Sequence, residues 1–262
     1  MSWVITPSNL LVDDQDALTY LAAVEAADGQ ALESATRLAV NAFVKGCKAD
    51  GIWPTIKSSC ILSGARTLSG ALVPLVGTAP TNFNFVAGDY NRKTGLAGNG
   101  STKYLNSNRL ASSLPTNSNH ICAYISAVSN DCAILGQGAA TSGALMAGYA
   151  ASTSNAGARN ATSTYNAHSN TTTLPNLCGT SRSSSGSYSV WNGGLNQAFS
   201  AASTSLNANN VLVFAENNLS GTAAVSLANA RLAFYSIGEF LDLALLDARV
   251  TTLINALAAA IP

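Results

Sequence analysis

The chain has 262 residues, 47% of them hydrophobic and only 10% charged, and its thirteen basic side chains cancel its thirteen acidic ones. Roughly 25% charged residues is usual for soluble domains, so Ser, Thr, Asn, Gly and Ala must cover the surface instead. A neutral molecule has no overall field to draw in nucleic acid or an anionic membrane, which sets both aside as partners, while the apolar content suffices for one large core or two smaller ones.

Asp13-Asp14-Gln15-Asp16 reads as a helix start, with acidic side chains at the positive end of the helix dipole. Leu18, Leu21, Ala22 and Glu25 then recur at helical spacing until Asp28-Gly29. A second helix is expected from about Gln30 to Lys48, with Leu32, Ala35, Ala39, Phe43 and Cys47 near one face and a stop at Ala49-Asp50-Gly51. The two form a helical hairpin. Ile52 to Lys57 reads as a short third helical turn with Trp53 and Ile56 inward, and Pro74 marks Ala71 to Val76 as an edge or connecting segment. Short helices bury little alone and need to dock, on the rest of the chain or, as the favoured expectation, on a neighbouring copy. Leu18, Leu21, Leu32, Phe43 and Trp53 are the candidate assembly residues.

From Asn82 onward, short strands alternate with Gly/Asn/Ser turns at the spacing of a two-sheet sandwich. Strands are expected at Tyr104 to Asn106, His120 to Val128, Ala133 to Gln137, Ala144 to Tyr149, Thr162 to Ala167, Gly186 to Trp191, Leu195 to Ser203, Asn210 to Asn217 and Ala230 to Gly238. Such apolar segments argue against disorder in the Ser/Thr/Asn-rich stretch. Glu239 to Ala260 carries Leu241, Leu245, Val250, Leu253, Ile254 and Leu257 at helical intervals, an amphipathic helix that caps the sandwich or contacts another copy. The expected division is a helical region at 1–80 and a β-sandwich with its C-terminal helix at 81–262. No internal repeat is evident, which disfavours a fibrous array.

Catalytic signatures are missing. His120 and His168 are the only histidines, and His120 beside an apolar strand reads as structural. HExxH, GxSxG, Walker A and GxGxxG contexts are absent. Glu216 stands without a nearby second carboxylate in sequence, so glycoside hydrolysis lacks its partner group. No enzymatic activity, metal or cofactor is therefore expected. Asp89 and Asn91 are too few for a calcium site and read as turn residues. Cys47, Cys60, Cys122, Cys132 and Cys178 are an odd set without CxxC spacing, and a Cys47–Cys60 bond is left open. Tyr165, His168, Tyr188, Trp191 and Asn192 fall in a loop-rich region where a shallow sugar site could form, with Tyr188 and Trp191 also readable as core packing. Met1 to Pro7 lacks the basic region and apolar run of a secretion signal, so synthesis in the cytoplasm is expected and the Asn-X-Thr/Ser sequons carry little weight. No uninterrupted apolar run of about 18 residues is present.

Gly88 to Asn108, GDYNRKTGLAGNGSTKYLNSN, is a glycine-bounded β-turn-β unit that resembles the opening strands of laminin-G-like, concanavalin A-like sandwiches. Ala230 to Gly238 followed by Leu241-Asp242 resembles the way those domains close. Lys45 to Trp53, continuing through Cys60 to Gly64-Ala65-Arg66-Thr67-Leu68, resembles tail and other virion structural proteins of tailed bacteriophages, in which a helical head joins a lectin-like sandwich. The resemblance implies a mainly β protein with a helical N-terminal segment, a two-sheet concanavalin A-like sandwich and a C-terminal helix. It also implies a place in the virion after synthesis in the host, with itself as a homo-oligomer and other virion proteins as partners. A tail-fibre, tail-associated or capsid decoration component fits, although the length disfavours a long fibre shaft. The alternative is an adhesin that binds a host-surface carbohydrate.

Overall fold

A computed structural model describes residues 13–262, so the reading of Met1 to Pro7 concerns residues outside that range. Helix α1 (Gln15–Asp28) starts where Asp14 accepts the Asp16 amide at 3.0 Å and ends at Gly29, whose φ of 70° few other residues adopt readily. α2 (Ser34–Ala49) begins later than expected, after Glu33. The short α3 (Leu68–Ala71) and the C-terminal α4 (Leu243–Ala260) complete the helices.

The first strands are β1 (Ile56–Ile61), β2 (Thr81–Phe83), β3 (Tyr90–Asn91), β4 (Gly95–Ala97), β5 (Tyr104–Leu110) and β6 (Asn119–Val128). There follow β7 (Cys132–Gln137), β8 (Leu145–Ala150), β9 (Asn155–Asn160), β10 (Asn166–Ala167), β11 (Asn176–Arg182) and β12 (Ser187–Asn192). The last are β13 (Leu195–Ser200), β14 (Asn210–Val213), β15 (Glu216–Asn217), β16 (Ala224–Val225) and β17 (Ala230–Gly238). They form an eight-stranded sheet in the order β13-β12-β11-β6-β17-β4-β3, with β1 also paired to β17, and a nine-stranded sheet in the order β10-β9-β8-β7-β14-β5-β2, with β15 paired to β7 and β16 paired to β15. Every strand pairing is antiparallel except that of β15 with β7. The protein is mainly β, a two-sheet sandwich with N-terminal helices and a C-terminal helix.

Two apolar layers hold it. Between the sheets lie Ile121, Ile125, Leu135, Leu145, Val190, Val213 and Tyr235. On the other side of the eight-stranded sheet, Cys122, Tyr124, Leu177, Trp191 and Phe234 meet Leu21, Phe43, Val44, Leu246 and Leu253 of the helices. This alternation follows from the period of two along a strand. Phe43 meets Phe234 edge to face, with centroids 5.9 Å apart. Full burial of such side chains contributes roughly 1.5–3 kcal/mol each, whereas the half-exposed Arg249–Asp50 pair joining α4 to α2 adds little. Helix α4 is long and apolar enough to cross a membrane by composition alone, with a mean hydropathy of 1.4. Its apolar stripe is instead buried against α2 and β11.

Several expectations are corrected. Ile52 to Lys57 makes only a single 3₁₀ turn, at Trp53–Thr55, before the chain becomes β1. Strand β1 pairs with β17 from Ile56↔Gly238 to Ile61↔Phe234, so a strand from the N-terminal 80 residues is built into the sandwich. Leu21, Leu32 and Phe43, expected at an assembly interface, are 2%, 7% and 3% exposed within their own chain and have almost no surface left for a second copy. Leu18 and Trp53 keep partial exposure. The segment Thr162 to Ala167 contributes only β10, while β9 and β11, which were not expected, lie in the middle of the region. All five cysteines are free thiols, Cys47 and Cys60 included.

Glu33 bridges Arg92 at 2.8 Å and Arg66 at 3.2 Å, tying the start of α2 to the β3–β4 hairpin. The Arg92 guanidinium holds its carboxyl down, from 4.5 to about 2. His120 is fully buried: Nδ1 lies 2.5 Å from the Glu239 carbonyl, to which it donates, and Nε2 lies 2.8 Å from Ser236 Oγ. Burial pushes its pKa from 6.5 down to about 4. The unfolded chain therefore takes up this proton first as the pH falls. Stability that is complete above pH 6.5 is predicted to drop by on the order of 3 kcal/mol on approaching pH 4. Urea unfolding across that range is expected to show this loss in the parent chain and a shallower one in His120→Gln.

Candidate functional site

Among the grooves near the sequence-predicted residues, two share Tyr149 in their lining, one at the sandwich end and one on a sheet face. The larger, of about 770 Å³, opens at one end of the sandwich between Tyr149, Ser154, Thr171 to Leu174 and Gly193. Beneath it runs a hydrogen-bonded network. Thr172 Oγ1 donates to Asn192 Oδ1 at 2.7 Å, Asn176 Nδ2 donates to Thr172 Oγ1 at 2.7 Å, and Asn192 Nδ2 donates to the Asn170 carbonyl at 2.9 Å. His168 Nδ1 accepts the Asn170 amide at 3.0 Å, and its buried Nε2 has no hydrogen-bond partner. These bonds fix the Thr171–Leu174 loop as one wall of the groove.

The second groove, of about 350 Å³, lies on the nine-stranded sheet among Asp131, Met146, Tyr149, Arg159, Tyr165 and Glu216. Its floor is made possible by glycine. A Cβ on Gly157 would stand 2.1 Å from the Tyr165 hydroxyl oxygen, and one on Gly136 would stand 2.9 Å from Met146 Cγ and 3.2 Å from Glu216 Cγ. Without those Cβ atoms, Tyr165 and Met146 lie close over the strands. The Arg159 guanidinium stacks on the Tyr165 ring, 5.4 Å from its centroid, and Arg159 Nε donates to the Ser163 carbonyl at 3.2 Å.

Glu216 enters from β15. Phe214, with φ of 68°, turns the chain at the end of β14 so that β15 runs parallel to β7. The Glu216 side chain is 4% exposed, its Oε1 lies 3.9 Å from Arg159 Nη1, and that oxygen has no hydrogen-bond partner. Burial raises its carboxyl above the ordinary 4.5, opposed by the Arg159 charge and the backbone amides of Ala139 and Ala140. Asp131 is a second carboxylate in this groove, brought there by the fold. Both its oxygens are engaged, Oδ1 by the Ser152 amide at 3.0 Å and Oδ2 by Ser152 Oγ at 2.9 Å, which lowers its pKa.

The structure thus separates the five sugar-site candidates. Tyr165 is 40% exposed and belongs to the sheet groove. His168 and Asn192 are buried below the end groove. Tyr188 packs between the sheets, where its hydroxyl donates to the Ala158 carbonyl at 2.9 Å and its ring carries the buried Arg182 guanidinium 5.3 Å from the centroid. Trp191 points the other way and donates from Nε1 to Asp247 of α4 at 2.8 Å. Arg159, Asp131 and the orientation of Glu216 were not singled out in the sequence; they come from separate strands and loops, and no local motif marks them.

Asp89 and Asn91 behave as turn residues. Asp89 binds Lys103 and accepts the Val86 amide at 2.8 Å, and Asn91 Oδ1 accepts the amides of Lys93 and Thr94 at 3.0 and 3.1 Å. Among the described residues, no cluster of three or more His, Cys, Asp or Glu side chains could hold a metal ion.

No protein-family model matches the chain, and no curated protein matches it. Among solved structures, a point variant of the NanB sialidase from Streptococcus pneumoniae aligns at 12% identity over 51% of this chain and 24% of that one, with a TM-score of 0.40. A second NanB structure, bound to a chlorobenzyl-ammonio-ethanesulfonate, aligns at 14% identity over 59% of this chain and 27% of that one, with a TM-score of 0.38. Mouse laminin α1 chain, domains LG4-5, aligns at 12% identity over 48% of this chain and 37% of that one, with a TM-score of 0.35. The aligned part spans about a quarter of the sialidase chains. The likeness is one of partial sandwich architecture and transfers neither activity nor ligand.

Proposed function

We propose that the protein is a non-enzymatic structural component of a tailed-bacteriophage particle that presents its sandwich outward. The observation that carries this reading is the unequal treatment of the two sheets. Among the described residues, the apolar cluster that holds the helices draws on the eight-stranded sheet and takes no residue from the nine-stranded sheet. One sheet is thereby fixed beneath a helical layer, and the other keeps a face for contact with the surroundings. The low charge suits packing among neutral surfaces, and the bacteriophage assignment is supported by the resemblance carried by Lys45 to Leu68. A binding role is favoured over catalysis because Asp131 is held on both oxygens by Ser152.

A second reading, an adhesin for a host-surface carbohydrate, is favoured by one observation. Tyr165 lies partly exposed at the edge of a groove that also contains carboxylate and guanidinium groups. The readings are compatible in one chain.

Cryo-electron microscopy of intact particles tests the first. Density for this chain on the capsid lattice or the tail is the expected result, and particles that lack the chain would refute it. For the second, a broad glycan array probed with the purified chain is expected to show selective binding, and a blank array would refute it.

A further inference from the structure

Glu216 Oε1 is a polar atom for which the folded chain supplies no hydrogen-bond partner, although the side chain around it is almost wholly enclosed. Leaving such an atom unpaired costs stability, and here it lies just beneath a groove that its own residue lines, with a cation and an aromatic ring at hand. The Arg159 guanidinium is too far away to donate to it, at 3.9 Å. That spacing nevertheless allows one oxygen atom to sit about 2.8 Å from both groups. The occupant must both accept from the guanidinium and donate to the carboxylate, and a hydroxyl group does both at once.

We infer that Glu216, Arg159 and Tyr165 form a subsite for a neutral sugar ring, in which Glu216 and Arg159 grip one ring hydroxyl and Tyr165 packs against the ring's C–H face. The inference deepens the carbohydrate-binding reading and rests on it. The two charges of the grip cancel, so it does not call for an ionic ligand. Met146 adds apolar surface to the groove, and close packing of Tyr165 over Gly157 fixes the height of the aromatic platform. A hydroxyl reaches Oε1, and the sugar ring reaches the Tyr165 face, when the Arg159 guanidinium that covers that face swings aside while keeping Nη1 within hydrogen-bond reach of the hydroxyl. The hydrogen bond from Arg159 Nε to the Ser163 carbonyl, at 3.2 Å, is compatible with such a shift. Sugar C–H faces stack on aromatic rings while their hydroxyls bond to the polar groups alongside, a division of labour that this groove reproduces.

The test is amide NMR of the full chain titrated separately with glucose, galactose, mannose and N-acetylglucosamine. The glycine amides report the two grooves independently, Gly148 and Gly157 for the sheet face and Gly193 for the sandwich end. At least one sugar is expected to shift Gly148 and Gly157, with affinity reduced about tenfold or more in Glu216→Gln, which preserves shape but alters the acceptor. Tyr165→Ala, at an exposed position, is expected to give a similar loss, with the spectrum of the free protein unchanged away from the ring's neighbours Gly157 and Arg159. Shifts confined to Gly193, or sheet-face binding indifferent to both substitutions, would overturn this subsite while leaving carbohydrate binding in place. No shift with any of the four sugars would overturn the subsite; a glycan array that still bound would then show that the broader reading survives.

Discussion

Strand β17 is hydrogen-bonded along both edges and enclosed on both faces, and the rest of the molecule is arranged around it. Leu232 through Ile237 are six consecutive residues with no measurable exposure. One edge meets β6 along almost the whole strand, and the other is shared by β4 and then β1. Tyr235 and Ile237 enter the layer between the sheets, while Phe234 enters the layer beneath the helices. A single strand therefore belongs to both cores. Gly238 ends it where a Cβ would lie 2.0 Å from the Thr55 carbonyl oxygen, so the close approach of the N-terminal segment requires glycine there.

This shared strand explains why the helices and the sandwich cannot be understood as separately stable bodies. Helices of 14 and 16 residues are marginal in isolation, and the stripe they bury is completed by Phe234, Tyr124 and Trp191 from the sheet. Covering one face of the eight-stranded sheet makes that sheet a rigid support for the loops at the sandwich end and for the sheet opposite. The grooves then lie on a fixed scaffold, with their polar groups drawn from loops and short strands, a common division between stability and recognition.

Much of the architecture was legible where the pattern is local. The caps of α1, the apolar stripe of α4, and the long strands β6 and β17 all carry their own signals. The failures have physical causes. Strand β11, Asn-Leu-Cys-Gly-Thr-Ser-Arg, is buried along its whole length, yet its polar groups are satisfied inside the protein, so composition alone reads as loop. Arg182 at its end is fully buried and bonded to the carbonyls of Asn160, Ser184 and Ala201, an arrangement that no neighbouring residue announces. Trp53-Pro54 suggested a helical turn and obscured the strand that begins two residues later. The site was less legible still. Tyr165 could be singled out as an aromatic in a loop, but the grouping of Glu216, Arg159 and Asp131 depends on strand register and on the left-handed bend at Phe214.

Native-state hydrogen exchange resolved by residue tests the dependence on β17 most directly. The slowest amides of α2 and α4 are predicted to exchange with those of β6 and β17 through one common opening, with the same free energy and the same sensitivity to denaturant. If α1 and α2 instead open at distinctly lower free energy while β17 stays fully protected, the helical layer is a separate unit, and the account of one structure built on a shared strand is contradicted.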